Sequence, residues 1–151
     1  MATEDRMIVC LGCEAVNRVP AGKSLVAAKC GKCGAQLSTP HPVEISNDQM
    51  RLLETKDSGA FIVDLWAPWC GPCRMMAPAY EAAAQSLESD IRFFKINTDR
   101  HPDAAVRLNL RGIPTLVAWA GGRQLVQQPG AQTGSALERW IRNLFHISPA
   151  A

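Results

Sequence analysis

The chain is 151 residues long, 47% hydrophobic, with a formal charge of +2, enough for one ordinary core of roughly 100 residues or more and a small appendage. No stretch approaches the roughly 18 uninterrupted apolar residues of a membrane span, and Met1 to Arg6 is polar and acidic where a signal peptide is basic and then apolar. A spanning helix is excluded, a soluble cytoplasmic protein is expected, and the near-neutral charge gives no case for a polyanionic partner such as nucleic acid.

Residues 1–40 are short of large hydrophobes, and the first aromatic residue is Phe61. A segment that poor in core material needs a staple. Cys10-x2-Cys13, a sixteen-residue gap and Cys30-x2-Cys33 match the spacing of a four-cysteine zinc ribbon with a closed tetrahedral Zn²⁺ site. Gly12, Gly31 and Gly34 suit the tight turns that bring amide N–H groups to the sulfurs. Two further redox dithiols, or a pair of disulfides, remain alternatives for these cysteines. Five basic side chains face three acidic ones here, and four thiolates around a dication cancel that excess. With no Phe, Tyr or Trp in residues 1–60, a nucleic-acid surface lacks its stacking platforms. Ser38-Thr39-Pro40-His41-Pro42 forbids regular structure and sets a boundary, giving a ribbon module with its linker at 1–40 and a main domain at 41–151.

Beyond that boundary, Val43 to Ile45 can form a short strand, and Ser46 or Asn47 caps a helix through about Lys56. Ala60 to Trp66 is a continuous apolar run suited to a strand covered on both faces. A helix with Pro78 inside it runs from about Cys73 towards Leu87. Ile91 to Ile96 reads as a strand, and Pro102 to Leu108 as a short helix. Thr115 to Trp119, the Gly121-Gly122 turn and Gln124 to Gln127 form a hairpin. Leu137, Trp140, Ile141, Leu144 and Phe145 line one face of a closing helix. This order predicts an α/β fold, a mixed sheet with helices on both faces.

Cys70-Gly71-Pro72-Cys73 falls between the buried strand and the helix, where unpaired N–H groups and the positive dipole end favour a thiolate. Cys70 is the natural nucleophile, and Cys73, one turn on, resolves the mixed disulfide. Pro72 takes an early helical position without wasting a donor. Half of a metal site is the competing reading, against which stand Gly71-Pro72 and the flanking Trp69. Asp64 lies inside the buried strand, where an unpaired carboxylate tends to stay protonated and can exchange a proton with a nearby thiol. Lys95 on the adjacent strand is either its partner or a lysine extended to solvent. His41, His101 and His146 are read as structural or solvated, and Met75 and Met76 as packing.

Phe61 to Tyr80, reading FIVDLWAPWCGPCRMMAPAY, together with Lys95-Ile96-Asn97-Thr98-Asp99 and Gly112-Ile113-Pro114-Thr115, closely resembles the thioredoxin family over about residues 43 to 146. The resemblance implies a thioredoxin fold, a cis Ile113-Pro114 peptide facing the dithiol, and a helix kink at Pro78. It implies a substrate surface formed by Trp69, Gly112, Ile113, Pro114, Gly130 and Ala131, and a buried proton-handling pair at Asp64 and Lys95. Pro68 and Arg74 stand where acidic and lysine residues are frequent in the family. The ribbon ahead of such a domain resembles the bacterial thioredoxin-2 type. That implies a cytoplasmic protein-disulfide reductase acting on disulfide-containing proteins, regenerated by an NADPH-dependent thioredoxin reductase, with a zinc module open to oxidation. A redox-regulated client-binding or chaperone module is the alternative; an oxidase or isomerase is disfavoured by Gly71-Pro72 and the reducing compartment.

Overall fold

The computed structural model describes residues 3–148. Two short strands, β1 (Arg6–Val9) and β2 (Val16–Val19), form an antiparallel hairpin in the cysteine-rich segment, followed by a 3-10 turn at Leu25–Ala27. The sequence reading places only turns and ligands here. Four-residue strands without aromatic side chains carry too weak a pattern to be seen.

The rest of the chain contributes β3 (Val43–Glu44), α1 (Asn47–Lys56), β4 (Ala60–Trp66), α2 (Gly71–Leu87) and β5 (Ile91–Asn97), then α3 (Pro102–Arg107), β6 (Thr115–Ala120), β7 (Arg123–Pro129) and α4 (Ser135–Leu144). The five strands order as β3-β5-β4-β6-β7. β3, β5 and β4 run parallel, while β6 is antiparallel to both β4 and β7. This is the expected mixed sheet. Ser46 caps α1 through a reciprocal capping box with Gln49. Gly121 (φ 62°) and Gly122 (φ 75°) supply the left-handed pair that a two-residue hairpin turn requires.

Period-two alternation divides β4 between two cores. Phe61, Val63 and Leu65 meet Met50 and Leu53 of α1 and Ala104 of α3. Ile62 faces the other way, onto Met76, Tyr80, Ala83, Ala84 and Leu87 of α2 and Leu137 and Ile141 of α4. Asp64, two residues after Ile62, is therefore committed to the α2 side. On that side Tyr80 donates its hydroxyl to the carbonyls of Phe94 (2.7 Å) and Ile62 (3.1 Å), bridging β5 and β4.

The N-terminal module is fastened to the sheet. Val9 N donates to Asp57 Oδ2 (2.9 Å), Met7 exchanges hydrogen bonds with Ser58 (2.8 Å each), and Leu25 N reaches Ser89 O (3.0 Å). Asp57 also holds Arg92 in a bidentate ion pair, 2.7 Å at each contact, with the side chains 0% and 3% exposed. Arg92 lies beside the touching Phe61 and Phe94 rings, 5.8 and 6.0 Å from their centroids. Val9 joins the Phe61 core directly. Two charges are thus buried where hairpin and sheet meet, and each is paired.

Candidate active site

β4 ends at Trp66 and delivers the chain to a tight loop whose Cys70 amide bonds Ala67 O (3.1 Å). α2 begins at Gly71, two residues before the expected start, because Cys70 is itself the N-cap. Its sulfur accepts the Cys73 amide at 3.2 Å, and Pro72 occupies the first turn. Cys70 and Cys73 are joined as a disulfide with Cα atoms 5.3 Å apart, 4% and 3% exposed. Ile113–Pro114 is cis, and Ile113 O lies 3.8 Å from Cys70 Sγ. Ala67, both cysteines, Trp66 and Ile113 pack as one small cluster.

Around the sulfurs, Trp69 is 66% exposed and donates its ring N–H to Asp99 Oδ1 (3.1 Å). Gly112, Gly130 and Ala131 are exposed, Ile113 is half-buried, and Pro114 is buried beneath them. Gly130 N bonds Pro114 O (2.9 Å), tying the end of β7 to the cis loop. Arg74 turns back to donate to Pro68 O (3.0 Å). Asp99 escapes the sequence reading, since its tie to Trp69 spans thirty residues.

Asp64 is 5% exposed, and its Oδ1 has no hydrogen-bond partner. Burial pushes its carboxyl up to about 7, with Lys95 opposing and Glu44 adding to the rise. Lys95, on the adjacent strand β5, is Asp64's register partner. Its ammonium, however, lies 4.4 Å from the Trp66 ring centroid and 3.9 Å from Glu44 Oε1. The lysine thus shares a rung with Asp64 while its charge leans to the edge of the sheet. The three histidines stand apart from this cluster: His41 contacts Glu81, His101 precedes α3 and His146 follows α4.

The other four cysteines form a second centre. Their sulfurs lie within 4.8 Å of one another, with Cys10–Cys33 and Cys13–Cys30 both at 3.6 Å. Four sulfurs around one tetrahedral ion at Zn–S distances stand about 3.8 Å apart, so the donor set fits a single metal ion. The two C-x-x-C loops repeat one geometry. Cys10 N bonds Ala15 O and Glu14 N bonds Cys10 O (2.8 and 2.7 Å); Cys30 N bonds Ala35 O and Gly34 N bonds Cys30 O (2.8 and 2.9 Å). Each loop turns through a left-handed residue, Glu14 (φ 66°) in the first and Gly34 (φ 80°) in the second. Gly12 and Gly31 lie within the two turns without taking the left-handed conformation. The Cys33 amide, then the Asn17 side chain and the Lys32 amide, draw the Cys30 thiol down to about 6. For Cys13 the Ala15 amide is outweighed by burial and the neighbouring sulfurs, which push it up to about 11. A thiolate favoured at Cys30 beside a Cys13 thiol pushed up by the sulfurs around it is a setting that a dication resolves.

The thioredoxin family model matches residues 42–143, and a model described as thioredoxin 2, N-terminal, matches residues 9–35. Thioredoxin C-3 of Corynebacterium nephridii is 35% identical over 135 residues, covering 89% of this chain and 92% of the relative. Thioredoxin of Porphyra purpurea is 47% identical over 77 residues, covering 51% and 72%. Among solved structures, a variant thioredoxin from Halobacterium salinarum aligns with a TM-score of 0.62 at 30% identity, covering 74% of this chain and 97% of that one. Family match, sheet order and a dithiol capping α2 agree: the chain belongs to the thioredoxin family, in its thioredoxin-2 type with an N-terminal four-cysteine ribbon, and is a thiol-disulfide oxidoreductase.

Proposed function

We propose that the protein is a cytoplasmic reductase of protein disulfides, with Cys70 as nucleophile and Cys73 as resolving thiol. The observation that carries this assignment is the Cys73 amide aimed at Cys70 Sγ (3.2 Å) at the start of α2, which stabilises negative charge on that sulfur. In the reduced protein the Cys70 thiolate attacks one sulfur of a substrate disulfide and displaces the other as a thiolate. Cys73 gives its proton to the Asp64 carboxylate and attacks Cys70 Sγ, releasing the second substrate thiol and re-forming the Cys70–Cys73 bond. Lys95 modulates the charge of Asp64 from the neighbouring strand. The exposed Trp69, with Gly112, Ile113, Gly130 and Ala131, receives the substrate chain, and the cis Pro114 supports that surface from below.

Regeneration is assigned to an NADPH-dependent thioredoxin reductase. Residues 1–40 are assigned as the ribbon module and 41–151 as the catalytic domain. Cys10, Cys13, Cys30 and Cys33 would hold one Zn²⁺, which when bound supplies the cross-link that a module so poor in core residues needs. Insulin-disulfide reduction tests the central assignment. Cys70→Ser abolishes it and Cys73→Ser accumulates mixed disulfides with substrates; full turnover by Cys70→Ser would sink the proposal.

A further inference from the structure

Three adjacent strands place three charged side chains in one row. Lys95 on β5 is the register partner of Asp64 on β4 and of Glu44 on β3. Register partners in a parallel pair point to the same face, so the row Glu44–Lys95–Asp64 runs along the α2 side, from the sheet edge inwards. The environment changes steeply along it: the Glu44 side chain is 49% exposed, that of Lys95 29%, and Asp64 is 5% exposed. One ammonium thus stands between two carboxylates, and the geometry shows which holds it. Its Nζ is 3.9 Å from Glu44 Oε1 on the edge strand β3, and 4.4 Å from the centre of the ring of Trp66, which ends β4 two residues beyond Asp64. No ion pair of Lys95 with Asp64 forms among the described residues, and Asp64 Oδ1 has no partner.

We propose that Glu44 is a positioning residue for the proton step: it detains the Lys95 ammonium at the edge of the sheet, so that no cation pairs with the Asp64 carboxylate and a proton passed to it from Cys73 is held there. The proposal rests on the reading of Asp64 as the acceptor for the Cys73 proton. Two effects of Glu44 act in the same direction. Its negative charge repels a second one at Asp64, and its hold on Lys95 removes the cation that would otherwise stabilise that charge. A general base serves best when it protonates near the working pH, which a carboxyl with a free ammonium beside it would not do.

The other groups facing Asp64 do not replace this function. From α2 comes Tyr80, whose hydroxyl is committed to the Phe94 and Ile62 carbonyls; Cys73, in the first turn of the same helix, is the proton's source on the reading above. β6 offers Leu116 opposite Asp64 and no charge. Burial holds the Glu44 carboxyl above its ordinary value, and Lys95, with a smaller effect from Arg100 in the segment after β5, opposes that rise.

The test uses the full-length oxidised protein, in which the active-site thiols do not titrate, and follows the Asp64 carboxyl carbon by NMR across pH. Glu44→Gln should lower the Asp64 midpoint by about half a pH unit, modest because Glu44 is half-exposed and screened. Lys95→Met should raise the midpoint, and adding Glu44→Gln to it should produce a smaller fall than in the wild type, since only direct repulsion is left to remove. In the reduced protein, the inflection in the pH dependence of mixed-disulfide resolution should move with the NMR midpoint. An Asp64 midpoint unchanged or raised by Glu44→Gln, while Asp64→Asn flattens the resolution profile, would overturn the proposal alone. A resolution profile unaffected by Asp64→Asn would overturn the acceptor reading and this proposal with it.

Discussion

Asp64→Asn should stabilise the oxidised protein by an amount that grows with pH. The carboxyl has an ordinary value of 3.8 and stands at about 7 in the fold. Between those limits the native state keeps a proton that the unfolded chain has released, so this contribution to stability is full below about 3.8, declines through the interval and is gone once pH passes about 7. A difference of about three pH units corresponds to about 4 kcal/mol, and local relaxation around a buried charge reduces this to about 2–4 kcal/mol. Asparagine has nearly the shape of the protonated acid and never carries the charge. Wild type and variant should therefore match below about pH 4, diverge steadily from there and reach the full difference once pH passes about 7. Denaturant unfolding followed by tryptophan fluorescence measures this, and comparison at each pH cancels groups common to both proteins. A stability gap that stays constant from pH 5 to pH 8.5 would refute the argument that burial of Asp64 is what raises it.

Arg92→Met leaves Asp57 ionised and buried without its bidentate partner, and should cost about 3–5 kcal/mol in thermal unfolding; a cost under about 1 kcal/mol would mean the pair is not buried as the fold describes. A Cβ at Gly59 would overlap Ile8 Cδ1 and Arg92 Nη2, at the contact between hairpin and sheet, so Gly59→Ala should destabilise by about 1–3 kcal/mol, with raised amide exchange in β1 as the local readout. Tyr80→Phe removes the hydroxyl that bridges β4 and β5 and should cost about 1–2 kcal/mol, measured as a shifted denaturation midpoint with an unchanged slope. Metal analysis of reduced, chelator-free protein should find about one Zn²⁺ per chain, and none would overturn the assignment of Cys10, Cys13, Cys30 and Cys33.

Local signals in the sequence account for much of the fold. The seven-residue run from Ala60 to Trp66 is β4 as read, because a strand covered on both faces needs no alternation and so stands out as a block. Ser46 and Gln49 mark the start of α1 through the capping box, and the Leu137–Ile141 face of α4 follows from its spacing. Signals fail where the deciding partner is distant in the chain. β1 and β2 owe their formation to the cysteine loops that close them and to Asp57 and Ser58, which accept and donate across some fifty residues. α2 begins at Gly71 because a cysteine acts as its cap, a role outside the usual Ser, Thr, Asp and Asn signals. Glu14 took a left-handed turn that its residue type does not announce.

By itself the sequence determined the chemistry on offer: a dithiol at a strand-to-helix junction, an acid inside an apolar strand, and four cysteines spaced for one metal ion. Those follow from residue type and short spacing, on which thiol reactivity and ligand geometry depend. The tertiary structure decided how the groups act on one another. It set Ile113 O beside Cys70, aligned Glu44, Lys95 and Asp64 across three strands, and leaned the lysine to the edge. Electrostatic influence depends on distance and burial, and strand register, which no local stretch of sequence encodes, sets both.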